Sequence, residues 1–250
     1  MTFALETVAL SKRFGGLAVT RDLSLRLEPG ARHALIGPNG AGKTTAINLL
    51  TGVLRPDGGR ILLDGEDITR LPVHARVRRG LSRTFQINQL YADLSPLETV
   101  GLAVSERFGG GGDWWRRLGT RPEINGDIAE HLARFHLLDV MNERTANLPY
   151  GKQRLLEIAV AIATRPRVLL LDEPAAGVPE HERHDILAAV ASLPRDVTVL
   201  LIEHDMDLVF SFADRISVMV NGAVLVEGAP DAVARDPRVR AAYLGEAADA

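Results

Sequence analysis

Cysteine is absent from the 250 residues, which excludes disulfide staples and thiolate zinc sites and fits a reducing compartment. A basic excess is missing too: 29 Lys+Arg stand against 32 Asp+Glu, a net charge of -3, so a nucleic-acid backbone is disfavoured as the main partner. No window reaches the ~18 consecutive apolar residues of a membrane span. Met1 to Leu10 carries Glu6 and no basic leader region, so a soluble, cytoplasmic chain is expected. There is no internal repeat, heptad run or low-complexity linker. What is present, 46% hydrophobic and 24% charged residues, is ordinary globular material, enough for one large α/β domain or two small lobes.

Apolar residues alternate with polar ones from Phe3 to Leu10 and over Leu23, Leu25 and Leu27, and Glu28-Pro29-Gly30 turns the chain into Ala31 to Ile36. These spacings predict strands joined by tight turns. Lys43 to Leu54 has helical spacing, Arg55-Pro56-Asp57-Gly58-Gly59 breaks it, and Arg60 to Leu63 reads as a strand again. Ile124, Ile128, Leu132 and Phe135 recur as on a helix. Short apolar runs at Val168 to Leu171, Val197 to Ile202 and Ile216 to Val220 read as parallel strands buried on both faces. The expected fold class is therefore α/β, with a helical insertion between about Ile87 and Arg165.

Gly37-Pro38-Asn39-Gly40-Ala41-Gly42-Lys43-Thr44 satisfies G-x-x-x-x-G-K-[ST] and lies between an expected strand and an expected helix. Glycines let the backbone N–H groups curl around phosphates, the helix start adds a positive dipole end, Lys43 reaches the β/γ oxygens and Thr44 is a Mg²⁺ ligand. That combination predicts a nucleoside-triphosphate site. Downstream, Val168-Leu169-Leu170-Leu171 runs into Asp172-Glu173, where Asp172 can face the metal through water while Glu173 polarises an attacking water. The run His181-Glu182-Arg183-His184 misses metal-ligand spacing and reads as a solvated helix face. Arg76, Arg78 and Arg79 read likewise, whereas Arg83 stands apart beside Gln86.

Gln86 after Arg83-Thr84-Phe85, the run Leu148-Pro149-Tyr150-Gly151-Lys152-Gln153, Asp172-Glu173-Pro174, and His204 after Leu200-Leu201-Ile202-Glu203 together resemble an ABC-transporter ATPase subunit. The resemblance covers nearly the whole chain. It implies a RecA-like P-loop core with an antiparallel β subdomain (1–86 and 166–250) and a helical subdomain (87–165). It also implies that Gly37 to Thr45, with Phe14 stacked on adenine, hold ATP. Thr44, Asp172 and Gln86 would then hold Mg²⁺, with Glu173 and His204 catalytic and Gln86 touching metal, water and a transmembrane partner. Tyr150, Gly151, Lys152 and Gln153 would act on the nucleotide of an opposite subunit.

The family's usual signature is Leu-Ser-Gly-Gly-Gln, and here Pro149 replaces the serine while Pro179 stands where Asp or Asn is common. Pro149 offers neither hydroxyl nor N–H. Any clamp on phosphate then rests on backbone near Tyr150 and Gly151, on Lys152 and on the dipole of a helix expected to start near Lys152; a degenerate second site is the alternative. The stretch Tyr150 to Ala159, Glu173-Pro174-Ala175-Ala176-Gly177 and the tail Ala241 to Glu246 resemble the branched-chain amino acid importer ATPases. Implied partners are permease subunits, a second ATPase subunit in a homodimer or heterodimer and, indirectly, a solute-binding protein, at the cytoplasmic face of the inner membrane, with no nucleic acid. Alternatives are the ATPase of a lipid or lipopolysaccharide exporter, or a soluble ABC-type ATPase acting on ribosomes or nucleic acid. Trp114-Trp115-Arg116-Arg117 is either a membrane-surface contact or local packing.

Overall fold

The computed structural model describes residues 2–84, 90–108 and 122–244. Gln86, the Trp114-Trp115 stretch and the tail from Gly245 lie outside the described residues. The chain forms two compact units, Met1–Arg83 with Arg167–Glu173 and Pro194–Ala250, and Thr84–Pro166 with Pro174–Leu193.

In the first unit, β1 (Leu5–Phe14), β2 (Leu17–Leu23), β3 (Arg26–Leu27), β5 (Gly58–Leu63) and β6 (Glu66–Asp67) make an antiparallel sheet. Its inward residues include Leu5, Leu10, Leu23, Leu25 and Leu27, which the alternation singles out, and Ile61 of the resumed strand. The second sheet orders β11 (Ala223–Gly228), β10 (Arg215–Val220), β4 (Arg32–Ile36), β9 (Thr198–Ile202), β8 (Val168–Asp172) and β7 (Leu81–Arg83). Every pair in it is parallel except β10 with β11. β4, β8 and β9 are buried throughout, as the apolar runs of β8 and β9 require when both faces are covered, while β4 also buries Arg32 and His33. α1 (Lys43–Thr51) contributes Ala46, Ile47, Leu49 and Leu50 to the core shared by the two sheets. The same unit holds α2 (Val73–Arg78), α7 (Met206–Phe212), α8 (Pro230–Arg235) and α9 (Pro237–Leu244).

Of the basic run, Arg78 is solvated and Arg79 pairs with Glu66 at the surface, but Arg76 departs from the expected solvated face. Arg76 is buried, and its guanidinium donates to the carbonyls of Leu49, Leu50, Thr69 and Leu71 at 2.6–2.9 Å. It thus serves the Leu50 carbonyl at the end of α1 and adds a second donor to that of Leu49, which also accepts from the Gly52 N–H at 3.2 Å. Burial lowers its pKa to about 10, so it remains a cation at neutral pH.

The second unit is helical: α3 (Pro96–Arg107), α4 (Pro122–Arg134), α5 (Tyr150–Ala163) and α6 (Glu180–Ala191). α3 starts with a capping box, in which Ser95 and Glu98 each accept or donate across the first turn and Pro96 holds the first helical position. Ile128, Leu132, Phe135, Leu155, Ile158 and Ile162 are buried. Pro174–Leu193, expected with the core segment 166–250, belongs instead to this unit. The reason is that α6 turns Ile186, Ala189 and Val190 inward and packs along α5.

Candidate functional site

The phosphate loop joins β4 to α1 as the motif requires. Gly37 has φ +153°, and a Cβ there would stand 2.1 Å from the carbonyl oxygen of Met219. Gly42, at φ +101° and with the Val19 carbonyl oxygen 2.6 Å from where a Cβ would be, is in the left-handed region that favours glycine. No acidic residue or side-chain cap occupies the first turn of α1, whose N–H groups have no acceptor within the helix. The Lys43 ammonium donates to the carbonyl oxygens of Gly37 at 2.5 Å and Pro38 at 3.0 Å, which holds a positive charge over the loop. Thr44 is exposed and Thr45 partly so, while Asn39 and Gly40 face solvent. This is a concave run of donors and one cation, chemistry that binds an oligophosphate.

Asp172 ends β8 only 3% exposed, and Arg83, at the end of neighbouring β7, donates to its Oδ2 at 2.7 Å. The other arm of Arg83 donates to Asn48 Oδ1 at 2.8 Å. Glu173 follows with φ +47°, its N–H bonded to the Ile202 carbonyl; the left-handed turn takes the carboxylate off the strand axis. His204, 64% exposed, has Nδ1 3.8 Å from Glu173 Oε1 and 3.7 Å from Glu203 Oε2. Glu203 is 1% exposed, and its Oε2 accepts from the N–H groups of His204 and Asp205 at 3.0 and 3.4 Å. Phe14 ends β1 at the hairpin tip, 49% exposed with the Lys12 ammonium 5.7 Å from the ring centre. An exposed aromatic face beside a cation suits a nucleobase better than a core.

Within the second unit the signature-like run opens α5, and the helix starts at Tyr150, two residues before the expected point. Pro149 at the cap supplies no side-chain hydrogen bond, although its carbonyl accepts from the Gln153 N–H at 3.1 Å. The Gly151 N–H donates instead to Glu182 Oε2 on α6 at 2.7 Å, so Glu182 is not the solvated residue expected of its charged run. Lys152 does not stand over the helix start: its ammonium donates to the His136 carbonyl and to the Asp139 carboxylate, which holds the Asp139 pKa below its ordinary range. The Tyr150 ring lies 5.2 Å from the guanidinium of Arg154, itself paired with buried Glu157 at 2.7 Å. Gln153 donates to the Leu148 carbonyl.

The structure therefore gathers Gly37 to Thr45, Asp172, Glu173 and His204 in one unit and gives Tyr150 to Gln153 to the other. Sequence reasoning assigned no role to Glu203, Asn48 or Glu182. Glu203 carried a signal, a carboxylate closing an all-apolar strand; Asn48 and Glu182 carried none, since their partners are far away in sequence.

A glycine loop between a parallel strand and a helix, with an Asp-Glu pair closing a strand of the same sheet, defines a P-loop nucleotide-hydrolysing cassette. Residues 20–176 match the ABC transporter family and residues 223–249 match the branched-chain amino acid ATP-binding cassette transporter family. The chain belongs to the ABC transporter family, as one of its transport ATPases. It is 43% identical over 252 aligned residues to the high-affinity branched-chain amino acid transport ATP-binding protein BraF of Pseudomonas aeruginosa, covering 97% of this chain and 98% of that one. It is 40% identical to the LivG protein of the same description from Escherichia coli K12, at the same coverage. Among solved structures, the nucleotide-free cassette of an ABC transporter superposes with a TM-score of 0.82 at 30% identity, over 97% of this chain and 99% of that one. The ADP conformation of such a cassette gives 0.83 at 31% identity, over 98% and 99%.

Proposed function

We propose that this chain is the ATP-hydrolysing motor of an importer for branched-chain or related amino acids. It works at the cytoplasmic face of the membrane against permease subunits and a second ATPase subunit, with a solute-binding protein delivering the solute. Among the described residues no helix is long and apolar enough to cross a membrane. The observation that carries the choice of solute is the match of residues 223–249, apart from the phosphate site, to the branched-chain cassette family.

Gly37 to Thr45 and Lys43 hold the ATP phosphates, and Phe14 stacks on the base. The donor set fits Mg²⁺: a Thr44 hydroxyl and a buried Asp172 carboxylate are hard oxygen ligands, with Gln86 as a third. The ion neutralises phosphate charge when bound. Glu173 accepts the proton of the attacking water, and His204, whose Nδ1 lies 3.8 Å from Glu173 Oε1, holds the γ-phosphate. The backbone at Tyr150 and Gly151 serves the nucleotide of the opposite subunit once the Glu182 carboxylate leaves the Gly151 N–H.

Uptake of labelled leucine, isoleucine and valine by cells with the chain deleted, restored with the wild type or with Lys43→Ala, tests this reading. Uptake is expected to be lost on deletion and restored by the wild type alone. Unchanged uptake of all three in the deletion strain would overturn the choice of solute.

A further inference from the structure

Arg83 touches a proposed metal ligand and is itself assigned nothing by the reaction. Its guanidinium is 10% exposed and two-armed: one arm holds Asp172 Oδ2 at 2.7 Å and the other Asn48 Oδ1 at 2.8 Å. Asn48 lies on α1 four residues after Thr44, and such a separation puts two residues on one helix face, about 6 Å apart along the axis. The helix face that carries Thr44 is thereby tied through Asn48 and Arg83 to the strand end that carries Asp172. We propose that Arg83 is a positioning residue that sets the separation of Thr44 from Asp172, so that the Thr44 hydroxyl and, through water, the Asp172 carboxylate could serve one Mg²⁺. This rests on the metal role proposed above for those two residues.

Three physical points favour a spacer over a mere counter-charge. A guanidinium fork fixes direction as well as distance, which a point charge does not. A carboxylate has about four acceptor positions, so a bond from Arg83 to Oδ2 is compatible with a metal-bound water on the same group. And a counter-charge needs no second anchor, whereas Arg83 has one on the helix of the other ligand. Groups that orient metal ligands typically change metal affinity by about 10–100-fold when removed.

The test compares wild type, Arg83→Met, Arg83→Lys and Asn48→Ala in the full chain. Binding of a fluorescent non-hydrolysable ATP analogue is measured in EDTA, and Mn²⁺ binding to the analogue-loaded protein is followed by electron paramagnetic resonance. Arg83→Met is expected to bind the analogue in EDTA within about 2-fold of wild type and to lose about 10-fold in Mn²⁺ affinity. Asn48→Ala should lose about 3-fold, and Arg83→Lys, able to reach one partner at a time, should recover part of the loss. Mn²⁺ binding equal to or tighter than wild type in Arg83→Met would overturn the proposal by making Arg83 only a competing cation. An equal loss in EDTA would overturn it by making Arg83 a support of the fold. Should Arg83→Met fail to fold, Asn48→Ala decides, since it removes the anchor and leaves the ion pair. A wild type that binds the analogue but no Mn²⁺ would sink the metal role, and one that binds no analogue the nucleotide site itself.

Discussion

Two helices begin at segments the sequence marks, and their beginnings differ. α1 follows Gly42 in a left-handed conformation, has no acidic residue in its first turn and carries Lys43 folded over the loop. α5 follows Pro149, and the Gly151 N–H is already taken by the Glu182 carboxylate of its own chain. The same physics, donors and a positive dipole at a helix start, is left open to an external anion in one place and answered internally in the other. A helix start therefore has a meaning only once its neighbours are known.

The contrast can be broken hardest at α1. Lys43→Ala removes the cation from the phosphate loop and is expected to cut ATPase activity by orders of magnitude, measured as phosphate release; near-normal turnover would show that this helix start binds no triphosphate. Next in size is Glu173→Gln, which should keep ATP affinity and lower hydrolysis by about 10²-fold or more. Gel filtration with Mg²⁺-ATP should then show an ATP-bound dimer, best with the permease present, while Asp172→Asn should not. If Glu173→Gln turns over normally, His204 becomes the first candidate for the base.

At α5 the effects are smaller and read as stability. A Cβ on Gly151 would stand 2.3 Å from Glu182 Oε2, so Gly151→Ala must push the carboxylate away. Gly151→Ala and Glu182→Ala should each cost about 1–2 kcal/mol in urea unfolding, and the double variant no more than the larger, because both remove one charge-assisted bond; additive losses would mean that the bond is not shared.

Within the first unit, burial lowers the His33 pKa to about 4, its Nε2 lying 2.8 Å from the Ser217 hydroxyl. The folded state then resists a proton that the unfolded chain takes up near pH 6.5, so stability falls as pH drops from about 6.5 to about 4, by about 1 kcal/mol between pH 6 and pH 5. His33→Gln should flatten that slope, and an unchanged slope would assign it to other groups. The smallest change is expected of Pro149→Ser: with Glu182 already on Gly151, an added hydroxyl should leave ATPase activity within a few-fold.

The glycine loop, Asp172-Glu173 and the buried strands were legible because each is written in contiguous residues whose spacing carries its own mechanism: φ>0 glycines, a strand period, a carboxylate after an apolar run. The boundary near Pro174 was not, since the helical spacing of Ile186, Val190 and Leu193 marks a helix but not which neighbour its three inward residues pack against, here α5. Arg76 read as one more surface charge until the carbonyls ending α1 closed around it.

The sequence by itself determined the phosphate-binding turn and the α/β core, because backbone conformation and burial follow from nearest neighbours along the chain. Tertiary structure alone decided that Arg83 spans Asp172 and Asn48, 89 and 35 residues distant, and that Glu182 seals Gly151 from 31 residues away. Polar groups taken out of water bind whichever partner folding brings within about 3 Å, and no local pattern records who that partner will be.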